Sequence, residues 1–323
     1  MKTIFVTGIT GLLGTNLAHE LIAKDFIVYA IVRNPKRYVG KTHKNLHLIT
    51  MGLWGDYDPY LQLSDIVIHI AAETSINKLN VTDYNTINYE ATKRLFNHAN
   101  TNEVQQFIYI STANTIGYGN RNRLGIETQQ IKKPFTQLFY AQSKSKAEGF
   151  LQQNSDKMIV TILNPTFLIG AYDSKPSSGK IIKMAINKRF VFYPPGGKNF
   201  VPVKDVVQAI IKTLEIQKSG ERYLIANENL SYQEFFKKIK QLTNGKQILL
   251  PIPIFILLFI GHIGDFLRLL KIKTSLSLTN MKILGVKNYY SNEKSIQQLS
   301  IKYTPLDTAI KEAINYFKMK KNK

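Results

Sequence analysis

The sequence begins Met1-Lys-Thr-Ile-Phe-Val-Thr-Gly-Ile-Thr-Gly-Leu-Leu-Gly14, and this stretch decides the fold. Its apolar residues 4–6 are typical of a short strand that is buried on both faces. Gly8, Gly11 and Gly14 follow at intervals of three residues, after which leucines recur at helical spacing. A glycine turn between a strand and a helix lets phosphate approach the free N–H groups of the helix N-terminus. The stretch therefore predicts a dinucleotide site.

The glycine spacing by itself is a weak signal. It follows GxxGxxG instead of the GxGxxG of the standard fingerprint, and small residues here would equally suit a helix that packs closely on a strand. We favour the nucleotide site because the flanking strand and helix are the context that the motif requires. The predicted cofactor contacts in the turn are Gly8, Thr10, Gly11, Leu12, Leu13 and Gly14.

The chain is strongly basic, with 43 lysines and arginines against 22 acidic residues and a net charge of +21. Such a charge could indicate a nucleic acid or an anionic membrane as partner. The lysines are scattered, however, and the dense basic run is confined to residues 318–323. We favour a general lysine bias with an anionic cofactor or substrate, and predict no nucleic-acid partner. A homodimer is left open.

The chain has no cysteine, which excludes disulfides, thiolate catalysis and cysteine-ligated metal centres and fits a reducing, cytoplasmic compartment. Its six histidines show no metal-binding spacing, so no metal is predicted. The longest apolar run, residues 248–261, contains Pro251 and Pro253 and is too short to cross a bilayer. It is interpreted as a buried or interfacial helix start, with peripheral membrane contact as the less favoured alternative.

Apolar runs and helical patterns alternate through the first half of the chain, which predicts an α/β fold with a doubly wound parallel sheet of the Rossmann type. The predicted strands are residues 4–6, 27–32, 46–50, 66–70, 107–110, 158–163 and 222–225, and the principal predicted helices are residues 83–100, 135–153 and 203–215. The alternation ends near Gly170, before a loop-like stretch at residues 173–179. We predict a dinucleotide-binding domain at residues 1–169, to which 201–226 return, and a smaller, mostly helical substrate lobe at 170–323.

The end of the second predicted strand indicates which nucleotide binds. Arg33 stands where an acidic residue would bond a free ribose 2′-hydroxyl, whereas an arginine accommodates a 2′-phosphate. The position therefore favours NADP as the cofactor, with NAD as the alternative. The non-functional interpretation is a solvated basic loop. After the fourth strand, the small residues Ala71 and Ala72 would let the backbone approach the cofactor. His69, inside that strand, is interpreted as a core residue.

Two further segments carry groups suited to proton transfer. Ser111 and Thr112 follow the fifth strand, and hydroxyls past the carboxyl end of a parallel strand point into the ligand crevice. Tyr140 and Lys144, four residues apart on the next helix, share one face. The spacing is common in this chain, but only this Tyr–Lys pair follows the hydroxyl-bearing strand end.

Together these motifs resemble the extended branch of the short-chain dehydrogenase/reductase superfamily, within the NAD-dependent epimerase/dehydratase family. The turn Thr7-Gly-Ile-Thr-Gly-Leu-Leu-Gly14 is similar to its TGxxGxxG, and Tyr140-Ala-Gln-Ser-Lys144 to its YxxxK. The resemblance implies that Thr112, Tyr140, Lys144 and Asn88 are catalytic, with Ser111 as the substitute for Thr112. It also implies that Tyr140, Lys144 and Pro165 contact the nucleotide.

Within that branch, Val32-Arg-Asn-Pro35 and residues 164–170 are similar to dihydroflavonol-reductase-like and 3β-hydroxysteroid-dehydrogenase-like members. This implies hydride transfer between NADP and a carbonyl of a small, hydrophobic substrate. A nucleotide-sugar epimerase or dehydratase with self-regenerating NAD is the main alternative, weakened because no arginine stands at Lys198-Asn199. A non-catalytic cofactor sensor is a third. Gly52-Leu53-Trp54 replaces an Asp-Leu pair that often contacts adenine.

Overall fold

The computed structural model describes residues 2–174 and 178–321, which form alternating strands and helices. The strands are β1 Thr3–Thr7, β2 Ile27–Val32, β3 Leu46–Thr50, β4 Ile66–His69, β5 Gln106–Ile110, β6 Ile159–Pro165, β7 Phe167–Ile169, β8 Phe190–Tyr193, β9 Gly197–Pro202, β10 Glu221–Ile225, β11 Glu228–Ser231, β12 Ile248–Pro251 and β13 Lys287–Asn288. The helices are α1 Leu12–Ala23, α2 Asp58–Leu61, α3 Val81–Asn85, α4 Ala91–Thr101, α5 Phe139–Gln153, α6 Lys180–Lys183, α7 Val203–Thr213, α8 Tyr232–Leu242, α9 Ile254–Leu269, α10 Leu278–Gly285, α11 Glu293–Leu299 and α12 Leu306–Lys321. Parts of the predicted loop at 173–179 and of the basic run at 318–323 lie outside the described residues.

A seven-stranded parallel sheet organises the fold. Its strand order is β10-β6-β5-β4-β1-β2-β3, and every neighbouring pair is parallel. The chain moves outward from β1 through β2 and β3, and then in the opposite direction from β4 to β10. The order therefore reverses between β1 and β4, and ligands of such sheets bind at the carboxyl ends of the strands at this point. The predicted Rossmann-type fold is confirmed.

Both faces of the sheet are covered, as the apolar run in β1 predicts. Ile4 and Val6 belong to one core with buried side chains of α1 and α7, whereas Phe5 belongs to a second core with α4 and α5. Successive residues of a strand point to opposite faces, so an uninterrupted apolar strand requires helices on both sides. The short β1 is fixed in this way at the centre of the molecule.

The second half of the chain contains a smaller body with its own core. Helices dominate it, but short strands that the sequence pattern did not indicate are also present: β7, β11 and β13 join β9 in one sheet, and β8 pairs with β12. Phe200 on β9 stacks on Phe235 of α8, with ring centroids 4.1 Å apart. In the intervening segment, α7 packs on α1 and β10 forms the edge of the large sheet beside β6. The domain boundary near residue 170 stays a prediction.

Two predicted helices differ from the structure in ways that matter for the site. The helix predicted at 83–100 runs from Val81 to Thr101 but contains a π-helical segment, Thr86–Glu90, which includes Asn88. Such π segments occur often at functional sites. The helix predicted at 135–153 begins at Phe139, because Leu138 is extended after a 3-10 turn at Phe135–Gln137. Tyr140 therefore lies in the first turn of α5.

Candidate active site

The glycine turn between β1 and α1 combines close packing with an open helix end. Gly8 has a φ of +81°, a conformation that side chains disfavour, and a Cβ there would lie 2.6 Å from the backbone nitrogen of Ala71. A Cβ on Gly14 would lie 2.3 Å from the carbonyl oxygen of Gly8. A Cβ on Gly11, in contrast, would meet only that oxygen at 3.6 Å. Gly8 and Gly14 are thus required for packing, whereas Gly11 faces open space.

The N-terminus of α1 suits a phosphate. Gly11 caps the helix without a side-chain hydrogen bond, and no acidic residue stands in the first turn. The first N–H groups and the positive end of the helix dipole are therefore available to an anion. Within the turn Thr10 and Leu12 are half-buried, whereas Leu13 is buried. These residues fit the pyrophosphate of a dinucleotide.

The segment after β4 lies against this turn. The backbone N–H of Ala71 donates to Thr7 Oγ1 over 3.2 Å, so the ends of β1 and β4 are joined at the point where the strand order reverses. Ala72 is half-buried beside it, and Pro165 is buried at the end of β6 on the same edge of the sheet. The predicted contacts Ala71 and Ala72 therefore lie beside the glycine turn, and Pro165 lies further along that edge.

Arg33 is exposed directly after β2, as the sequence predicts. The side chain of Asn34 accepts a hydrogen bond from the N–H of Lys36 over 3.0 Å and fixes a 3-10 turn at Pro35–Arg37. Three cationic side chains thus flank the strand end next to the glycine turn. Among the residues that the structure describes, none forms an ion pair with Arg33, so its charge is available to a ligand. Trp54, in the segment that replaces the adenine-contacting Asp-Leu pair, is half exposed.

Lys144 is held inside the protein, with its side chain 1% exposed. Its Nζ donates to the carbonyl oxygen of Ile110 over 2.6 Å and lies 4.1 Å from the centre of the Tyr109 ring. Burial lowers the pKa of Lys144 to about 7, and the nearby Glu148 carboxylate opposes that shift. The ammonium is therefore anchored to the end of β5, directly before Ser111 and Thr112.

Tyr140 and Thr112 meet at this strand end. The Thr112 side chain lies beside the phenol of Tyr140. Loss of solvent raises the pKa of Tyr140 to about 12; the neighbouring Thr112 hydroxyl partly opposes this shift, and the charge of Glu148 adds to it. The protein groups around Tyr140 therefore do not bring the pKa of the phenol towards neutrality. Tyr140 is protonated at neutral pH.

Asn88 lies on the π segment and connects two parts of the site. Its Oδ1 accepts from the N–H of Glu73 over 2.7 Å, while its Nδ2 donates to the Glu73 carbonyl and to Ser143 Oγ. Ser143 directly precedes Lys144. Both ends of the Asn88 amide are therefore engaged in holding α5 against the segment that follows Ala72.

The sequence did not predict the buried carboxylate of Glu148, which lies below Thr112. Glu148 accepts hydrogen bonds from Ser111 Oγ, from Thr115 Oγ1 at 2.7 Å and from Asn164 Nδ2 at 2.6 Å, and it lies 3.0 Å from Arg222. Ser111 thus turns away from the crevice, which leaves Thr112 as the hydroxyl beside Tyr140. Glu148 is four residues beyond Lys144 on the same helix face, and that spacing was the available signal.

Lys198 occupies the position where an arginine would favour a nucleotide-sugar substrate. It lies on β9 with Nζ 5.3 Å from the centre of the Phe167 ring, and burial lowers its pKa to about 8. The adjacent Asn199 accepts from Thr166 Oγ1 over 2.7 Å and from the N–H of Asn227. Lys198 therefore offers a single cationic group here, without the forked donors of an arginine.

A cavity of about 470 Å³ opens between residues 117–132 and β13. Its wall includes Gly117, Arg123, Lys132 and Lys287, but neither Tyr140 nor the glycine turn contributes to it. It is separate from the crevice described above.

His69 is fully buried in β4, as the sequence predicts for a core residue. Its Nδ1 is hydrogen-bonded to Thr7 Oγ1 at 2.6 Å and its Nε2 to Thr92 Oγ1 at 2.9 Å. Burial, helped by the charge of Lys144, lowers the pKa of His69 to about 3. The imidazole is therefore neutral and joins β1, β4 and α4.

This buried imidazole predicts an acid-sensitive fold. Between pH 6.5 and 3 the unfolded chain binds a proton that native His69 does not, so stability is complete above pH 6.5 and falls as the pH drops. From pH 8 to pH 5 the free energy of unfolding should fall by about 2 kcal/mol through this residue. In urea unfolding, the free energy of unfolding of His69→Gln should fall by about 2 kcal/mol less than that of the wild type between pH 8 and pH 5. An equal fall in the wild type and in His69→Gln would contradict the assignment.

The reversed strand order, the glycine turn and the Tyr–Lys pair define a nicotinamide-dinucleotide enzyme of the short-chain dehydrogenase/reductase class. The sequence profile of the NAD dependent epimerase/dehydratase family matches residues 4–226, and the chain belongs to that family. Its relatives include a Synechocystis sp. protein provisionally named dihydroflavonol 4-reductase, 26% identical over 97% of this chain and 94% of the relative.

Other similar proteins are named for different reactions. The sterol-4-alpha-carboxylate 3-dehydrogenase (decarboxylating) of Dictyostelium discoideum is 28% identical over 79% of this chain and 81% of its own. Among solved structures, the UDP-N-acetylglucosamine 4-epimerase of Methanobrevibacter ruminantium M1, in complex with UDP-N-acetylmuramic acid, superposes with a TM-score of 0.79. That match has 18% identity and covers 99% of each chain. At this identity, the structural likeness shows the fold only.

Proposed function

We propose that the protein is an NADP-dependent reductase that reduces a carbonyl of a small, hydrophobic substrate to a secondary alcohol. The observation that carries this proposal is the placement of Tyr140 beside Thr112 at the end of β5, where Lys144 Nζ donates to the Ile110 carbonyl oxygen. Reduction of a carbonyl requires a proton donor for the developing alkoxide, and the phenol of Tyr140 can supply that proton. The similarity to reductase and sterol dehydrogenase relatives supports the proposal.

The residues of this chain divide the work of the reaction. The glycine turn and the N-terminus of α1 hold the pyrophosphate, and Arg33 binds the ribose 2′-phosphate. When bound, NADPH supplies the hydride. Tyr140 donates its proton to the substrate oxygen, and Thr112 donates a hydrogen bond to that oxygen as its charge grows. Lys144, with donors to spare beyond the Ile110 carbonyl, bonds the nicotinamide ribose.

Asn88 acts in this proposal as a positioning residue. The resemblance implies a catalytic role for Asn88, but both ends of its side-chain amide are bonded to Glu73 and Ser143. The amide instead fixes α5, and with it Tyr140 and Lys144, against the segment that leaves β4. Glu148 fixes the other side, through Ser111 and Thr115.

A substrate panel tests the proposal. NADPH oxidation is followed with ketosteroids, flavanonols, aldehydes and sugar nucleotides, and the nucleotide that co-purifies with the protein is identified. We expect oxidation of exchangeable NADPH with at least one hydrophobic carbonyl compound and none with sugar nucleotides. Tightly retained NAD, with interconversion of a sugar nucleotide and no net oxidation, would contradict the reductase and support an epimerase.

Arg33 should determine the preference between the two nucleotides. Arg33→Ser removes charge-assisted hydrogen bonds to the 2′-phosphate, so the KM for NADPH should rise roughly tenfold or more. The KM for NADH should stay within about twofold, because NADH lacks that phosphate. Lys24→Ser, which removes an exposed charge at the far end of α1, serves as the matched control. Equal effects of Arg33→Ser on both nucleotides would contradict the assignment.

A further inference from the structure

Helix α9 presents its apolar side to solvent. Phe255, Phe259 and Phe266 are 68%, 66% and 61% exposed, and Leu269 is 81% exposed. The three phenylalanines are spaced by four and seven residues and therefore share one helix face. No helix in the described ranges is long and apolar enough to cross a membrane. The exposed face is nevertheless far more apolar than a solvent-facing helix requires.

The opposite face of α9 packs against the rest of the protein. Leu257, Gly261 and Gly264 are buried; a Cβ on Gly264 would lie 1.9 Å from the carbonyl oxygen of Leu276, so the helix approaches that segment closely. Asp265 Oδ1 accepts from the N–H of Leu278 over 3.2 Å, on the same side. The helix is therefore inverted relative to an ordinary surface helix, with its carboxylate inward and its aromatic rings outward.

A second apolar surface leads directly into α9. Strands β8 and β12 pair in parallel, with Phe190 opposite Ile248 and Phe192 opposite Leu250. Phe190, Phe192 and Ile248 are each about half exposed, whereas the alternate residue Val191 is buried. Only residues 252–253 separate β12 from α9. The exposed apolar surface therefore continues from the strand pair into the helix.

Exposed basic residues flank this surface at both ends. Lys188 and Arg189 precede β8 and Lys246 precedes β12, and parallel pairing brings these strand starts together. Lys271 and Lys273 follow the other end of α9, where Ile272 is also exposed. Apolar side chains bordered by lysine and arginine are typical of helices that lie in the headgroup region of an anionic bilayer.

We propose that α9 and the β8–β12 strand pair form a docking surface for a membrane rich in anionic phospholipids. The apolar side chains enter the boundary between headgroups and acyl chains, while the flanking lysines and arginines contact the headgroup phosphates. A second copy of this chain is disfavoured as the occupant, because its net charge of +21 would bring like-charged borders together.

Docking would also place one edge of the crevice near the lipid. Arg268 on α9 donates to the carbonyl oxygen of Lys78 over 2.8 Å, and Asn280 on α10 donates to that of Ile76 over 3.2 Å. These acceptors lie in the segment that leaves β4 after Ala72. If the proposed function holds, a hydrophobic substrate could pass between bilayer and crevice; the docking itself does not depend on that function.

Vesicle sedimentation of the full chain tests the proposal independently of activity. Wild-type protein is mixed with vesicles of phosphatidylcholine containing phosphatidylglycerol, and with phosphatidylcholine alone. We expect binding to the anionic vesicles that weakens with added salt. The double variant Phe255→Ser/Phe266→Ser should weaken binding roughly tenfold or more, because two aromatic rings that would be buried in the bilayer are removed. Leu63→Ser, at an exposed leucine outside this surface, should leave binding unchanged.

Three results would overturn the proposal. The first is no binding of the wild-type protein to anionic vesicles. The second is binding that the double phenylalanine variant retains in full, which would show charge attraction alone. The third is a lipid-free dimer in light scattering that the same variant dissociates, with no vesicle binding, which would identify a second copy as the occupant. Circular dichroism checks that each variant is folded.

Discussion

A Tyr140→Phe variant should lose roughly 100-fold or more of the wild-type turnover, because general acid catalysis contributes at least that much. The substitution removes one hydroxyl from a half-buried side chain and leaves the ring in place. NADPH affinity, measured by fluorescence titration, should therefore change little. A variant that keeps more than about a tenth of the wild-type rate would contradict the role of Tyr140 as proton donor.

Variants of the two hydroxyl residues after β5, Thr112 and Ser111, test which of them assists Tyr140. Thr112→Val removes the hydroxyl beside Tyr140 and should reduce kcat by less than Tyr140→Phe does. Ser111→Ala should have the smallest effect of the three, since that hydroxyl bonds Glu148 below the crevice. A larger loss of kcat in Ser111→Ala than in Thr112→Val would show that Ser111, and not Thr112, is the hydroxyl that bonds the substrate oxygen.

Gly14→Ala should damage both folding and nucleotide binding. The added Cβ would lie 2.3 Å from the carbonyl oxygen of Gly8 and 2.5 Å from Cα of Ile9, both backbone atoms that cannot move without displacing the turn. Overpacking of this kind costs about 1–3 kcal/mol of stability. Because the displaced turn also holds the pyrophosphate, NADPH affinity should fall roughly tenfold or more. Urea unfolding and fluorescence titration measure the two effects.

Two glycine variants are matched controls for this prediction. Gly11→Ala meets only one atom, at 3.6 Å, so stability should be kept while the methyl group reduces nucleotide affinity. Gly149→Ala, in the interior of α5 with nothing within 4 Å, should raise stability by about 0.5–1 kcal/mol and leave binding unchanged. Unaltered stability and affinity in Gly14→Ala would contradict the packing described for the turn.

The parallel sheet could be predicted from sequence because each of its strands is a local signal. Residues 4–6 and 27–32 are short apolar runs between turns and helical patterns, and their burial follows from composition alone. The strands of the second body lack this signal. β9 contains Lys198 and Asn199 beside Phe200, and its pairing with β7, β11 and β13 depends on contacts between distant segments. Such pairing is set by tertiary context and not by local preference.

The candidate site could be predicted to the level of residue type and strand end. The positions of Thr112, Tyr140 and Lys144 followed from their place after β5, and the structure brings them together there. The partners of Asn88 could not be predicted, because Glu73 and Ser143 come from separate elements. Glu148 was missed for a similar reason: its spacing from Lys144 is common on helices, and its role shows only once Asn164 and Arg222 are seen around it.

The transfer of hydride to substrate tests the central claim most directly. The enzyme is mixed with a responsive carbonyl substrate and NADPH deuterated at the nicotinamide carbon that donates hydride, and the product is examined by mass spectrometry. The account predicts one deuterium on the carbinol carbon for each NADPH oxidised, and its loss in Tyr140→Phe. Substrate conversion without net oxidation of NADPH and without deuterium in the product would contradict it.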